Sequence, residues 1–207
     1  MKVVVFGASG RVGRLFVDGA LKKNHQVTCF TRNSNNIRVK HKNLRISGGN
    51  VSDDYAVREA MRGQELAVVS LGAKDISKPH SVNADGVKRI VAAMDLFKVP
   101  RVILLGNVGL LPHASGKLQG EVSLPPFLQF VFADQRTAYE TLKESGLDWV
   151  VVCPPFMPQG PQTGKYRVVV EAPLERAQSI NVEDVVHFLL KEAFEAPHHN
   201  VRIGIAY

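Results

Sequence analysis

The sequence predicts an α/β fold in which a doubly wound, mainly parallel sheet carries helices on both faces. Short apolar runs alternate with segments of helical period along most of the chain, which is the order of repeated βαβ units. The 207 residues suffice for one well-buried core, and 45% hydrophobic with 22% charged residues is typical of a globular protein. We therefore expect a single domain over residues 1–207.

The first half of the chain predicts four strands and three helices. The strands are expected at 3–6, 27–31, 44–47 and 67–71, and the helices at 11–23, about 53–61 and 81–97. Ser52 is the expected N-cap of the second helix, and acidic residues follow it in the first turn. Pro100 marks the passage into a fifth strand at 102–105.

The second half is less regular. Glycines and prolines interrupt residues 106–130, which predicts a long loop that forms a lid or pocket wall. A helix at 133–145 ends at Gly146, and a strand follows at 148–152. The proline-rich segment 153–166 is expected to form a second part of the pocket. A strand at 166–170, a helix at 182–194 capped by Asn181 and a strand at 201–206 that closes the sheet complete the chain.

A glycine-rich turn joins the first strand to the first helix. Glycines at 7, 10 and 13 allow a tight turn and a close approach of the backbone to a pyrophosphate, which the helix N-terminus attracts. A plain strand-to-helix turn is the alternative. We expect a dinucleotide to contact Gly7, Ser9, Gly10, Arg11 and Val12. With the alternation of elements, this turn predicts a Rossmann fold.

The residues after the second strand bear on the choice of cofactor. An acidic residue there would bind the ribose hydroxyls of NAD, but this chain has Thr31, Arg32 and Asn33. A cation suits the 2′-phosphate of NADP, and Arg11 is a second candidate for that group. NADPH is therefore favoured over NADH.

Composition argues against several other classes. The net charge of +7 comes largely from residues 32–45, where no aromatic side chains are interleaved to stack on bases, so nucleic acid is not a favoured partner. No apolar run approaches the roughly 20 residues that span a membrane. Cys29 and Cys153 are expected to be buried free thiols of a cytoplasmic protein. His198 and His199 lack partners at ligand spacing, so no metal site is expected.

Several stretches together resemble the atypical short-chain dehydrogenase/reductase superfamily, in its NmrA-like branch, which includes the biliverdin-IXβ and flavin reductases. They span nearly the whole chain: Phe6-Gly7-Ala8-Ser9-Gly10, Ser70-Leu71-Gly72, Gly86 to Ala93, Lys143 to Leu147, Pro154-Pro155 and Thr163 to Tyr166. The resemblance implies a monomeric NADPH-dependent reductase that acts on flavins or linear tetrapyrroles.

The same resemblance implies roles for individual residues. Arg32 would meet the 2′-phosphate, and Asn50, beside Val51, replaces an aspartate that contacts adenine. The remaining implied contacts to the dinucleotide, beyond its pyrophosphate and around the nicotinamide, are Leu71, Gly72, Ala73, Pro154 and Pro155.

The chain departs from the family pattern beside the nicotinamide. Gly106 and Asn107 replace a Thr-Ser pair, so Asn107 is the remaining hydrogen-bond donor there. Phe156 replaces a histidine, which makes that wall apolar. Both changes put tetrapyrrole specificity in doubt, although a flat aromatic acceptor still suits the pocket.

Tyr139 and Lys143 have the spacing of the Tyr/Lys pair that many short-chain dehydrogenases use as an acid. Alignment of the helix on its end at Ser145 places the superfamily's lysine position at Gln135, so Tyr139 lies about one turn too late. Gln135 is then a candidate contact to nicotinamide or substrate.

Three functional hypotheses follow. The leading one is an NADPH-dependent reductase that transfers hydride to a flavin or another conjugated planar acceptor, such as a quinone or tetrapyrrole. The second is a non-catalytic NmrA-like protein that senses the dinucleotide. The third is a carbonyl reductase or epimerase that depends on Tyr139 and Lys143.

Overall fold

A computed structural model describes all 207 residues, which form one α/β domain. Eight strands form a single sheet in the order β3-β2-β1-β4-β5-β6-β8-β7. All neighbouring strands are parallel except β7 and β8. The strands are β1 (Lys2–Phe6), β2 (Gln26–Thr31), β3 (Leu44–Gly48), β4 (Leu66–Val69), β5 (Arg101–Leu105), β6 (Asp148–Cys153), β7 (Arg167–Val170) and β8 (Val201–Ala206).

Six helices pack on the two faces of this sheet. They are α1 (Arg11–Lys22), α2 (Asp54–Met61), α3 (Val82–Phe97), α4 (Gln119–Val122), α5 (Gln129–Glu144) and α6 (Val182–Glu195). No helix has the length and apolar character needed to cross a membrane. The predicted doubly wound α/β fold is therefore confirmed.

Side chains of each strand alternate between two buried clusters, one on each face. In β1, Val4 and Phe6 join the cluster beneath α2, α3 and α5, whereas Val3 and Val5 join the cluster beneath α1 and α6. Because helices cover both faces of the sheet, the strand sequences are nearly continuous apolar runs. The strand order reverses between β1 and β4, so a crevice opens there at the carboxyl edge of the sheet.

Several element boundaries differ from the sequence-based predictions. Asp53, not Ser52, caps α2, because its Oδ1 accepts from the N–H groups of Tyr55 and Ala56. Asn181 precedes α6, but its side chain donates to the Pro161 carbonyl and caps no helix N–H. β7 rather than β8 forms the edge of the sheet.

The stretch predicted as a long loop over residues 106–130 is more ordered than expected. It contains α4 and single 3-10 turns at 108–110 and 126–128, and α5 begins at Gln129 instead of residue 133. Leu110 and Leu111 are fully buried, so this segment packs on the core. Scattered apolar residues concealed that packing because they follow neither a period of two nor one of 3.6.

A buried carboxylate joins α5 to the start of α3. Asp134 is fully buried and accepts from the N–H groups of Asn83 and Ala84, the Asn83 side-chain amide and His80 Nδ1, at 2.8–3.1 Å. Ser81, the N-cap residue of α3, provides no side-chain cap. Asp134 therefore caps α3 from a neighbouring helix and fixes the side of the crevice that α3 forms.

We expect Asp134→Ala to lower the free energy of unfolding by about 3 kcal/mol, because several buried donors lose their charged acceptor. Asp53→Ala is the matched control, since Asp53 also caps a helix but is solvent-exposed, and its loss should cost about 1 kcal/mol. Urea denaturation followed by circular dichroism measures both values. Equal losses in the two variants would contradict the special role of Asp134.

Candidate functional site

The turn after β1 is possible only with glycine at two positions. Gly7 has a φ of +87°, and a Cβ on it would lie 2.4 Å from the Ser70 carbonyl oxygen at the end of β4. A Cβ on Gly13 would lie 2.2 Å from the carbonyl oxygen of Gly7. Both glycines therefore allow backbones to approach more closely than any side chain permits. The result is a crevice whose floor is main chain.

The first turn of α1 leaves its N–H groups free for an anion. Gly10 is the N-cap and offers no side chain, and the first helical hydrogen bond runs from Arg14 N to the Gly10 carbonyl. The N–H groups of Arg11, Val12 and Gly13 thus have no partner four residues earlier. The Val12 side chain is buried in the core, so its backbone N–H is the group that could meet a ligand. This arrangement suits a pyrophosphate.

A cavity of about 390 Å³ occupies the carboxyl edge of β3, β2, β1 and β4. Nine residues expected to contact a dinucleotide line it: Gly7, Ser9, Gly10, Arg32, Asn50, Val51, Leu71, Gly72 and Ala73. Nine further residues line it that were not predicted as contacts to the dinucleotide: Phe30, Thr31, Gly49, Ser52, Ser70, Lys74, Ser81, Val82 and Asp85. Gly49 and Ser70 directly follow strands, and Ser81, Val82 and Asp85 lie at the start of α3; such positions are the signal that could have identified them.

The charged groups of this cavity favour an anionic ligand. Arg32 and Lys74 contribute two cations, and Asp85 is its one carboxylate. Asp85 accepts from the Ser81 hydroxyl and lies at the start of α3, not at the end of β2. Thr31 Oγ1, 3.4 Å from Ser9 Oγ, connects the end of β2 to the glycine turn. The end of β2 therefore presents a cation where an acidic residue would select NAD.

Arg11 has a different environment from the one expected. It does not line the cavity, and its Nη1 donates to the Met157 carbonyl at 3.0 Å. Arg11 thus ties segment 153–166 to the N-terminus of α1. The expectation that it reaches a 2′-phosphate is not supported, because its guanidinium is engaged by a residue 146 positions away.

The predicted nicotinamide side lies beyond this cavity, after β5 and β6. Asn107 donates from Nδ2 to Gln135 Oε1, and its Oδ1 accepts from Gly109 N at 2.7 Å. The carbonyl of buried Pro154 accepts from Val108 N at 3.0 Å, so the segments after the two strands are held together. Both ends of the Asn107 amide are occupied, whereas Gln135 Nε2 makes no hydrogen bond within the chain. Gln135 therefore keeps a free donor.

Tyr139 is not brought to the site. It is 7% exposed and packs edge-on against Trp149, near the start of β6. Arg202 lies over its ring, 5.0 Å from the centroid. Burial raises the pKa of the Tyr139 phenol, which is the wrong direction for an acid or phenolate near neutral pH. Lys143 is solvent-exposed. The two residues therefore occupy one buried and one exposed position of α5.

A second buried carboxylate anchors segment 153–166. Asp184 in the first turn of α6 accepts from Thr163 N, Thr163 Oγ1, Gly164 N and the Tyr207 hydroxyl, at 2.6–2.9 Å. Burial by itself would raise the pKa of Asp184, but the hydrogen bonds from Tyr207, Gly164 and Thr163 hold it below its ordinary value. Phe156 projects from this anchored segment and is 72% exposed.

Comparison with known proteins agrees with this geometry. The family described as NAD(P)H-binding matches residues 7–196. The uncharacterized protein YwnB of Bacillus subtilis is 24% identical, over 99% of this chain and 98% of its own. A short-chain dehydrogenase/reductase (wide type) from Veillonella parvula, solved with NADP, has a TM-score of 0.77 at 21% identity, covering 100% and 94%. A proposed NADH-flavin reductase from Streptococcus pneumoniae has a TM-score of 0.84 at 21% identity, covering 100% and 99%.

We expect Asp184→Asn to lower the free energy of unfolding by about 2 kcal/mol near neutral pH, because four hydrogen bonds lose their charged acceptor. The folded pKa of Asp184 lies below its ordinary value of 3.8, so this contribution is fully present above about pH 5. It is lost as the pH falls through the folded pKa.

Urea denaturation of wild type and Asp184→Asn between about pH 7 and pH 3 tests this expectation. The difference between them should stay constant down to about pH 5 and then close. Asp95→Asn, at a carboxylate that is 80% exposed, should differ little from wild type at any pH. A difference that widens on acidification would contradict the assignment.

Proposed function

The chain belongs to the NAD(P)H-binding family, and we propose that it is an NADPH-dependent reductase that passes hydride to a flavin or a similar planar, conjugated acceptor. One observation carries the proposal: the glycine turn, the uncapped start of α1 and Arg32 surround a single cavity at the crevice of the sheet. That combination matches the pyrophosphate and the 2′-phosphate of one NADP molecule.

The preference for NADPH rests on the end of β2. Arg32 follows Thr31 there, and the one carboxylate of the cavity, Asp85, comes from the start of α3. A guanidinium binds a phosphate through paired hydrogen bonds but offers no acceptor for the protons of neutral ribose hydroxyls. Lys74 adds a second cation to the same cavity. The site therefore suits NADP better than NAD.

The other residues of the cavity fit the remaining parts of the dinucleotide. The N–H groups of Arg11, Val12 and Gly13 can hold its pyrophosphate, and Gly72 has open space where a Cβ would project. In this proposal Asn50 and Val51, after β3, would contact adenine, and Pro154 and Pro155 would flank the nicotinamide, as the resemblance implies. When bound, NADPH supplies the hydride, and solvent supplies the proton that completes reduction of the acceptor.

The nature of the acceptor follows from what the chain offers beyond the cofactor. Asn107 and Gln135 are neutral amides, and Tyr139 lies elsewhere in the core. A carbonyl substrate needs a positioned acid, whereas a flavin accepts hydride into a conjugated ring with little help. Phe156 and Phe127 are exposed aromatic side chains of segments 153–166 and 106–130, suited to contact a flat ring. A fold neighbour named as a proposed NADH-flavin reductase is compatible with this assignment.

We further propose that the protein acts as a cytoplasmic monomer on small molecules. Cys29 and Cys153 are buried on opposite faces of the sheet, so they cannot form a disulfide with each other. Burial raises the pKa of the Cys29 thiol to about 12 and also raises that of Cys153, so neither is a reactive thiolate. Such thiols fit a reducing compartment.

Arg32→Gln should raise the KM for NADPH about 30-fold, since a charge-assisted contact to the 2′-phosphate contributes about 2 kcal/mol. The KM for NADH should change less than about threefold. Arg38→Gln is the control, because it removes the same charge from the same basic stretch but outside the cavity. Steady-state kinetics with both cofactors measure these KM values. A similar rise in KM for NADPH and NADH would show that Arg32 does not bind the 2′-phosphate.

Purified protein should oxidise NADPH in the presence of riboflavin or FMN, followed by the loss of reduced-nicotinamide absorbance. Tyr139→Phe should retain at least about half of kcat, because the missing hydroxyl lies away from the site. Gln135→Ala should lower kcat by about tenfold if its free amide positions nicotinamide or acceptor. NADPH binding without turnover of any flavin, quinone or tetrapyrrole would instead support a dinucleotide sensor.

A further inference from the structure

We propose that a second site, at the opposite edge of the sheet from the dinucleotide cavity, binds a compact phosphate-type anion that carries several charges. This site, the amino-edge groove, has a volume of about 450 Å³. Its lining comes from the starts of β1, β2 and β3 and from the turn after α2, and it consists of Lys2, Gln26, Val27, Thr28, Lys42, Asn43, Leu44, Arg45, Arg62, Gly63 and Gln64.

The groove exists because α2 is too short to cover its part of the sheet. Eight residues of helix span about 12 Å, whereas the six residues of β2 span about 20 Å. Thr28 pairs with Arg45 in register and shares the face of Phe30, which is buried beneath the helices. Along this face, the residues at the starts of the strands, Lys2, Gln26, Thr28 and Arg45, are polar or cationic instead of apolar. The sequence is therefore patterned for an open, polar groove.

Its charge is entirely of one sign. Four cationic residues line the groove, Lys2, Lys42, Arg45 and Arg62, and no Asp or Glu does. The formal net charge of the whole chain is +7, and these four cations concentrate positive charge in one small region of the surface. Lys2 and Lys42 take part in no ion pair of the structure. An anion in the groove would meet cations that are not already neutralised.

The two guanidinium groups are held in place by contacts outside the groove. Arg62 pairs with Glu59 at 2.9 Å and lies 5.0 Å from the Phe97 ring centroid. Arg45 Nη2 donates to the Glu59 carbonyl at 3.4 Å. Glu59 therefore orients both arginines from the last turns of α2 without lining the groove itself. Arginines restrained in this way lose less side-chain entropy when they bind an anion.

The wall formed by Gln64 and Thr28 provides the groove's unsatisfied hydrogen-bonding groups. Gln64 Nε2 donates to Thr28 Oγ1 at 3.0 Å, which leaves the Thr28 hydroxyl proton free. Gln64 Oε1 is buried and has no partner within the chain. Buried polar atoms are normally paired, so when the Gln64 side chain turns toward the groove, an outside group that both accepts and donates would complete this wall. A phosphate that retains one proton near neutral pH does both.

The lining also limits the kind of anion. No aromatic side chain reaches the groove, so a nucleobase has no surface on which to stack. Val27 and Leu44 are its only hydrophobic members, which leaves little contact for an apolar tail. The volume suits a small polyphosphate rather than a folded partner. We therefore assign the groove to a short chain of phosphoryl groups, with inorganic tripolyphosphate as the probe.

The groove and the dinucleotide cavity lie at the two ends of the same strands. Gln26, Val27 and Thr28 at the start of β2 line the groove, whereas Phe30 and Thr31 at its end line the cavity. The two cavities share no lining residue. Both ligands can therefore be bound at once, and the assignment of the groove does not depend on the proposed reductase activity.

Isothermal titration of the full-length protein with tripolyphosphate, at about 0.15 M salt and with NADP⁺ saturating the cofactor cavity, tests the proposal. We expect saturable binding with one anion per chain, and at least tenfold weaker binding to the double variant Lys42→Gln/Arg45→Gln. The control double variant Lys88→Gln/Lys191→Gln removes the same charge from exposed positions outside the groove and should bind like wild type. NADP⁺ affinity, measured separately, should be unchanged in both double variants.

Three outcomes would overturn the assignment. Equal losses in the two double variants would show general attraction to a basic protein and no specific site. Sulfate that competes as well as tripolyphosphate at equal ionic strength would remove the phosphate preference. The third outcome is that a single-stranded oligonucleotide binds through Lys42 and Arg45 while tripolyphosphate does not bind. The ligand would then be a polymer and not a compact anion.

Discussion

Close backbone contacts between the glycine turn and the end of β4 position the first helix and form the crevice. Gly7 approaches the Ser70 carbonyl more closely than a Cβ allows, and Gly13 does the same to the carbonyl of Gly7. The two contacts bring β1, β4 and the start of α1 together at the point where the strand order reverses. A side chain at either position would move α1 away and would fill the crevice that exposes its N–H groups.

Two buried carboxylates then fix the walls on either side of that crevice. Asp134 reaches from α5 to cap α3, and Asp184 reaches from α6 to the backbone of Thr163 and Gly164. Each carboxylate accepts hydrogen bonds from two main-chain N–H groups of a neighbouring segment. Local stability and the shape of the site are therefore coupled, because the same hydrogen bonds support both.

The excess positive charge of the chain is divided between the two edges of the sheet. At the carboxyl edge Arg32 and Lys74 stand beside a helix N-terminus, where cation and backbone N–H groups both favour a phosphate. At the amino edge no helix begins beside the groove, so side chains alone supply its positive potential. One basic sequence segment, residues 32–45, contributes to both edges because it runs from the end of β2 to β3.

Much of this arrangement was determined by the sequence itself. The order of elements follows from local periodicity, and the glycine turn and Arg32 follow from their place directly after β1 and β2, since parallel strands all end at one edge. Other features depend on contacts between distant parts of the chain. The partner of Arg11 is Met157, the acceptor that caps α3 is Asp134, and the aromatic contact of Tyr139 is Trp149 across the core. Such contacts join residues far apart in the chain, and local patterns do not specify which distant side chain meets an unsatisfied group.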